Sequence, residues 1–131
     1  MKALIVEDDF TSRLLLQQIL NPYGECHIAV NGKEAIEAFM VAWAEGSRYD
    51  LICLDIMMPE IDGQEVLKRI RSMEETDGAS AVNGVKIIMT TALRDKKNVF
   101  TAFEEQCDGY LVKPIDKAKM IDYLKDFGLL K

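Results

Sequence analysis

One histidine, one tryptophan, three cysteines and three prolines are all the chain has of those residues, and each scarcity closes off a kind of chemistry. His27 stands alone inside a short apolar stretch. It makes neither a histidine-rich metal centre nor an ordinary Ser-His triad, and it is read as structural. Cys26, Cys53 and Cys107 are odd in number, far apart and each beside apolar residues. They read as buried thiols of a reducing cytosol rather than as a disulfide framework or a zinc site. Basic residues are short as well, 16 against 22 acids for a net charge of −6, which argues against non-specific binding to nucleic acid or to an anionic membrane. No apolar run approaches the ~20 residues needed to cross a bilayer. Met1-Lys2 leads straight into a strand, so no signal peptide is expected. No repeat, low-complexity tract or linker interrupts the chain.

What remains is 131 residues, 49% hydrophobic and 29% charged, the balance of an ordinary globular domain spanning residues 1–131. A chain of that size buries roughly two-thirds of its unfolded surface without disulfides or metals. Short apolar runs alternate with helical patterns. Ala3-Leu4-Ile5-Val6, Cys26 to Val30, Leu51 to Leu54, Val85 to Met89 and Gly109 to Val112 read as strands. Between and after them lie five helices. The first presents Leu15, Leu16, Ile19 and Leu20. The second is capped by Asn31 and Glu34 and presents Ala35, Ile36, Phe39, Met40 and Trp43. The third is capped by Asp62 and Glu65 with Val66, Leu67, Ile70 and Met73 inward. A fourth, capped by Asp95, carries only Val99, Ala102 and Phe103 and is expected to be the most weakly anchored. The last is capped by Asp116, with Met120, Ile121, Leu124 and Phe127 inward. Glu74 to Gly84 reads as a helix tail and an exposed loop. The pattern predicts an α/β fold with a parallel sheet covered on both faces. Right-handed crossovers leave few topologies, of which the doubly wound, flavodoxin-like order 2-1-3-4-5 is expected.

The strand around Cys53 ends at a carboxylate, Asp55. Pro59 then blocks further pairing, and Asp62-Gly63 supplies a turn before the third helix. The first strand ends in Glu7-Asp8-Asp9, three acids with no basic neighbour in sequence. Such a cluster is stable only when solvated or neutralised by a cation. Asp9 is assigned to capping the first helix. The fold brings Glu7, Asp8, Asp55, Thr91 and Lys113 to one rim, where ligands bind in open α/β sheets. Three carboxylates form a hard oxygen site of the type that holds hydrated Mg²⁺, with Mn²⁺ possible. Asp55 can attack a phosphoryl group, while the metal, Lys113 and the Thr91 hydroxyl share the phosphoryl oxygens. Pro114 fixes the geometry beside Lys113 and allows a cis bond.

Over essentially its whole length the chain resembles a response-regulator receiver domain. The resemblance rests on Leu4 to Asp9, on Asp55 with Met58-Pro59 and Asp62-Gly63 behind it, on Thr91-Ala92 and on Tyr110-Leu111-Val112-Lys113-Pro114. It carries the 2-1-3-4-5 strand order with it. It implies Asp55 as phosphoacceptor, Glu7 and Asp8 as the acidic pair, the Met57 backbone carbonyl as a metal ligand, and Thr91 and Tyr110 as switch residues. Lys113 is implied as the phosphate-pairing lysine. The implied donor is a histidine kinase or histidine phosphotransfer protein, in the cytoplasm, with no separate substrate turned over. The implied downstream protein partner docks on the fourth helix, fifth strand and last helix. Two departures stand out. Glu7 occupies a position where many members carry Asp, and the interval from Asp55 to Thr91 is a few residues longer, the excess falling in Glu74 to Gly84. Loops of that kind occur in hybrid kinases and phosphorelays, which leans the reading toward a relay role. Met57 and Leu93, two residues beyond Asp55 and Thr91, cannot position a hydrolytic water, so slow self-dephosphorylation is expected. Three other readings compete. A haloacid-dehalogenase-type phosphatase needs an acid two residues beyond the nucleophile, where this chain has Met57. A degenerate receiver used only for binding requires loss of an acid, the acceptor or the lysine. A receiver excised from a larger regulator with a DNA-binding or enzymatic output remains the alternative.

Overall fold

The computed structural model describes residues 1–76, 84–92 and 106–130. Five strands, β1 (Lys2–Val6), β2 (Glu25–Ala29), β3 (Leu51–Asp55), β4 (Lys86–Thr91) and β5 (Gly109–Val112), alternate with helices α1 (Phe10–Leu20), α2 (Gly32–Ala44), α3 (Gly63–Thr76) and the C-terminal α4 (Lys117–Asp126). A 3₁₀ turn over Asn21–Tyr23, with Pro22 near its start, ends α1. The helix expected from Asp95 to Phe103, Leu93, and the 77–83 part of the expected loop lie outside the described residues. Among the described residues, no helix is long and apolar enough to cross a membrane.

The strands form one parallel sheet in the order β2-β1-β3-β4-β5, as expected. Both faces are covered, and this explains why β3 reads as an unbroken apolar run. All five of its residues are buried, where a one-sided sheet would alternate. Successive side chains point to opposite faces. Leu4, Val6, Ile52, Leu54, Ile87 and Met89 therefore pack under α2 and α3 with Ala35, Phe39, Val66, Leu67 and Ile70. Ala3, Ile5, Leu51, Cys53, Ile88 and Leu111 pack under α1 and α4 with Leu16, Ile19, Leu20, Met120 and Leu124.

The four caps expected among the described residues are present. Asp9 Oδ2 accepts the Ser12 amide at 2.9 Å, and Asn31 Oδ1 accepts that of Glu34 at 2.8 Å. Asp62 Oδ1 accepts the Glu65 amide at 2.9 Å, and Asp116 Oδ1 accepts that of Ala118 at 2.8 Å. These side chains satisfy amides that a helix start leaves without intrahelical partners. Some expected placements differ. Met40 is 53% exposed. The inner stripe of α2 runs through Ala35, Phe39 and Ala42, and Met40 lies one residue, about 100°, round from Phe39. Cys26 is only partly buried while Cys53 and Cys107 are buried, and all three are free thiols. The cause is position, since β2 is an edge strand. His27 is structural as expected, linking Glu25 at 2.7 Å to the Tyr49 hydroxyl at 2.8 Å.

Candidate functional site: an acidic crevice at the sheet rim

In the order 2-1-3-4-5 the winding direction reverses between β1 and β3, and the loops leaving those two strands diverge to open a crevice. Glu7 and Asp8 follow β1, and Asp55 ends β3, so the crevice is lined with carboxylates. The departure of the chain after Asp55 is tightly held. Gly63, the first residue of α3, donates its amide to the Ile56 carbonyl at 2.9 Å. A Cβ at Gly63 would run into the Asp55 carbonyl and the Ile56 Cα, so only glycine lets α3 begin this close to the strand end. Glu60 in the connecting loop adopts φ 68°, a left-handed conformation that non-glycine residues take up at a cost.

Glu7 is completely buried and Asp55 is 3% exposed, whereas Asp8 is open to solvent. The cation that neutralises the buried pair comes from across the sheet. Lys113, one residue past β5, places Nζ 2.7 Å from Glu7 Oε2 and 3.5 Å from Asp55 Oδ1. Its amide donates to the Thr91 carbonyl at 2.7 Å, and its bond to Pro114 is cis. Asp55 Oδ1 also accepts the Met57 amide at 3.2 Å, and Glu7 Oε1 accepts that of Asp9 at 3.1 Å. Arg13 on α1 reaches back to the Glu7 carbonyl at 3.1 Å.

The electrostatics follow from burial. Loss of solvation, then the charge of Glu7, push the Asp55 carboxyl up to about 7, against the opposing pull of Lys113 and the Met57 amide. Burial acts to lower the pKa of Lys113, but the Glu7 and Asp55 carboxylates outweigh it and hold the ammonium above its ordinary value. One lysine thus faces two buried carboxylates, with a third at the mouth.

This donor set fits a hard divalent cation. Oxygens of Glu7, Asp8 and Asp55 all lie within 4.8 Å of one another. Glu7 Oε2 is buried 2.7 Å from Lys113 Nζ, so a single ammonium is shared among three clustered carboxylates. The negative charge left over after Lys113 is counted is what a hard divalent cation among these oxygens would offset.

The structure therefore gathers Glu7, Asp8, Asp55 and Lys113. Thr91 ends β4, and Tyr110 lies on β5. Thr91 is fully buried, and by strand alternation it shares the face of Met89. The partly buried Tyr110 packs against that same core, under α2 and α3. The residue opposite Asp55 in register is Thr90, whose buried hydroxyl has no hydrogen-bond partner among the described residues. Met57 is 59% exposed beside the acceptor.

Sequence reasoning missed one polar network. Arg71 is 5% exposed, and its guanidinium donates to the Gln106 carbonyl at 3.0 Å and the Val85 carbonyl at 2.8 Å. It also meets Glu74 at 2.7 Å and Asp108 at 2.8 Å. Glu74 and Asp108 in turn accept the amides of Val85 at 2.7 Å and Ile87 at 2.8 Å. The network fastens the end of α3 to the starts of β4 and β5, at the opposite rim from Asp55. Helical spacing carried it, because Arg71 and Glu74 continue the Leu67-Ile70 stripe.

A 2-1-3-4-5 parallel sheet with an acidic, lysine-bearing crevice at the reversal point defines a receiver-type α/β protein. The chain belongs to the response regulator receiver domain family, whose profile matches residues 3–125. It is 31% identical over 128 residues to hybrid signal transduction histidine kinase L of Dictyostelium discoideum, covering 97% of this chain and 7% of that protein. It is 35% identical over 121 residues to transcriptional regulatory protein SrrA of Staphylococcus aureus, covering 92% of this chain and 44% of that one. The chain thus spans less than half of either relative. Among solved structures it is similar to the co-crystal of the Saccharomyces cerevisiae histidine phosphotransfer protein Ypd1 with the receiver domain of its downstream response regulator Ssk1. There the TM-score is 0.83 at 28% identity, covering 98% of this chain and 88% of that one. Chemotaxis protein CheY4 of Vibrio cholerae superposes with TM-score 0.76 at 26% identity, over 96% of this chain and 97% of that one.

Proposed function

We propose that this receiver accepts a phosphoryl group on Asp55 from a phosphohistidine of a histidine kinase or histidine phosphotransfer protein, and passes on the signal or the phosphoryl group itself. The convergence of Asp55, Glu7, Asp8 and Lys113 at one crevice carries this reading. An Asp55 carboxylate oxygen attacks phosphorus, the P–N bond to the donor imidazole breaks, and its electron pair leaves with the imidazole. Asp55 is the nucleophile: it ends β3 at the crevice, oriented by the Met57 amide and faced by Lys113. Lys113 stabilises charge developing on the transferring oxygens, and the Thr91 hydroxyl completes their coordination once drawn toward the rim. Glu7, Asp8, Asp55 and the Met57 carbonyl would hold Mg²⁺, or Mn²⁺, which when bound neutralises phosphoryl charge.

Movement of Thr91 leaves space that Tyr110 enters, making the ring a two-state element. The output face comprises the region expected for a helix between Asp95 and Phe103, together with β5 and α4, and it meets a protein partner. The chain acts in the cytoplasm as a phosphoprotein of a two-component system or phosphorelay, with no separate substrate turned over. The Ypd1–Ssk1 complex supports a phosphotransfer protein as donor. The short share of SrrA that the chain covers supports the second reading, a receiver joined to an output domain. The test is radiolabel transfer from a panel of phosphorylated histidine kinases and phosphotransfer proteins. Label should pass to the wild type and not to Asp55→Asn, and label reaching both proteins equally would refute the assignment.

A further inference from the structure

Among the described residues, β5 is an edge strand, paired only with β4. The Lys113 amide donates to the Thr91 carbonyl at 2.7 Å. This sets the phase of the ladder: residues 109, 111 and 113 face β4, and the amide and carbonyl of Tyr110 face outward. An open edge normally leaves such groups to water or to an invading strand. Here α4 supplies one hydroxyl for both. Tyr123 Oη accepts the Tyr110 amide at 3.1 Å and lies 3.4 Å from the Tyr110 carbonyl, to which it donates. A phenol can do both at once.

The seat for that side chain is built. A Cβ at Gly109 would meet the Tyr123 ring at 2.7 Å from Cε1 and 2.8 Å from Cζ, so glycine at this position is what lets the ring lie across the strand. Behind it, Phe127 stacks at 5.6 Å with an interplanar angle of 25°, and Lys86 Nζ stands 5.9 Å from the Phe127 ring. The Tyr123 ring thus lies across the edge at the residue assigned as the switch aromatic, backed by Phe127 at the C-terminal cap of α4.

We infer that Tyr123 is a positioning residue that fastens α4 to the backbone of Tyr110, closing the β5 edge and coupling the helix to the switch. The coupling part rests on the receiver reading. With the Tyr110 backbone held at both polar groups, the ring moves by rotation rather than by strand displacement, and whatever strain reaches β5 there is delivered to α4. Linkage runs both ways, so a partner gripping α4 biases the Tyr110 ring equally. The edge is closed at Tyr110, which blocks strand addition there, so a partner on this face reads side chains of α4.

Two variants of the full chain test this. Tyr123→Phe removes only the hydroxyl and keeps the ring in its seat. Gly109→Ala fills the seat and expels the ring with its hydroxyl intact. Amide exchange at Tyr110 should quicken about fivefold to tenfold in both, the loss of one net hydrogen bond, with the amide of Leu111, which faces β4, little changed. Chemical shifts are then recorded on adding beryllofluoride and Mg²⁺, a phosphoryl mimic. In wild type both the rim and residues 117–126 should respond. In both variants the rim response should persist while that of residues 117–126 falls at least about twofold. Unchanged exchange at Tyr110, or a helix response as large as in wild type, overturns the inference. Silence at the rim in every protein would instead refute the receiver reading, and the exchange measurement would still decide whether Tyr123 closes the edge.

Discussion

Replacing Asp55 by asparagine should stabilise the fold at neutral pH. Burial beside Glu7 raises the carboxyl from 3.8 to about 7, and each pKa unit is about 1.36 kcal/mol. Keeping Asp55 ionised near pH 7 therefore costs the folded state at most about 4 kcal/mol relative to the unfolded chain. Rearrangement of Lys113 and solvent entering the crevice recover part of this, leaving about 2 kcal/mol for the substitution to release. The direction with pH follows from a raised folded value. Between about pH 4 and pH 7 the folded state keeps a proton that the unfolded chain has lost, so stability falls as pH rises through that window. Below the window the carboxyl is neutral in both states and Asp55→Asn should change little. Thermal unfolding at pH 7.5 in EDTA should show a midpoint raised by about 6 °C for a domain of this size. At pH 4 the gap should close. Saturating Mg²⁺ should narrow it at pH 7.5, because the cation stabilises the wild type and finds one ligand fewer in the variant. A variant no more stable at pH 7.5, or one whose advantage is as large at pH 4, would refute the account of the crevice.

Arg71→Ala should cost about 3–5 kcal/mol in urea unfolding, because it leaves Glu74 and Asp108 beside backbone amides without their buried cation; a loss under 1 kcal/mol would show the network to be incidental. Asp8→Ala should weaken Mg²⁺ binding at least ~10-fold by titration, and wild-type affinity should fall at lower pH as Asp55 takes up its proton; undiminished binding in the variant would remove Asp8 from the ligand set. Phosphorylated protein should decay slowly once the donor is removed, since the exposed Met57 beside the acceptor offers no side-chain hydrogen bond to a water. Met57→Asn should speed decay by about tenfold, and an unchanged lifetime would mean that Met57 does not govern access.

Legibility in the sequence followed the strength of the local physics. The β3 run from Leu51 to Leu54, cut off at Asp55 and followed by Pro59 and Asp62-Gly63, announced a buried strand and a turn on its own. Asp9, Asn31, Asp62 and Asp116 announced four helix starts, because a capping carboxylate or amide acts within three residues. Contacts across the sheet were harder to read. Glu7 has no basic neighbour in sequence, and only the pairing of β1, β3, β4 and β5 brings Lys113 to it. Thr91 was expected at the acidic rim from its place at a strand end. It ends β4 fully buried, one residue beyond Thr90, the register partner of Asp55. Arg71 and Glu74 were passed over because charged residues are rarely buried, although they fall on the inner stripe of α3. Tyr123 gave no signal, since its role depends on the missing Cβ of Gly109 fourteen residues earlier.

Intact-mass and peptide-mapping analysis after incubation with acetyl phosphate and Mg²⁺ tests the central claim most directly. The account predicts one phosphoryl group per chain, carried by Asp55, none without the divalent cation, and none in Asp55→Asn. Full labelling of Asp55→Asn, or label mapped to Glu7, Asp8 or Asp62 in the wild type, would contradict it.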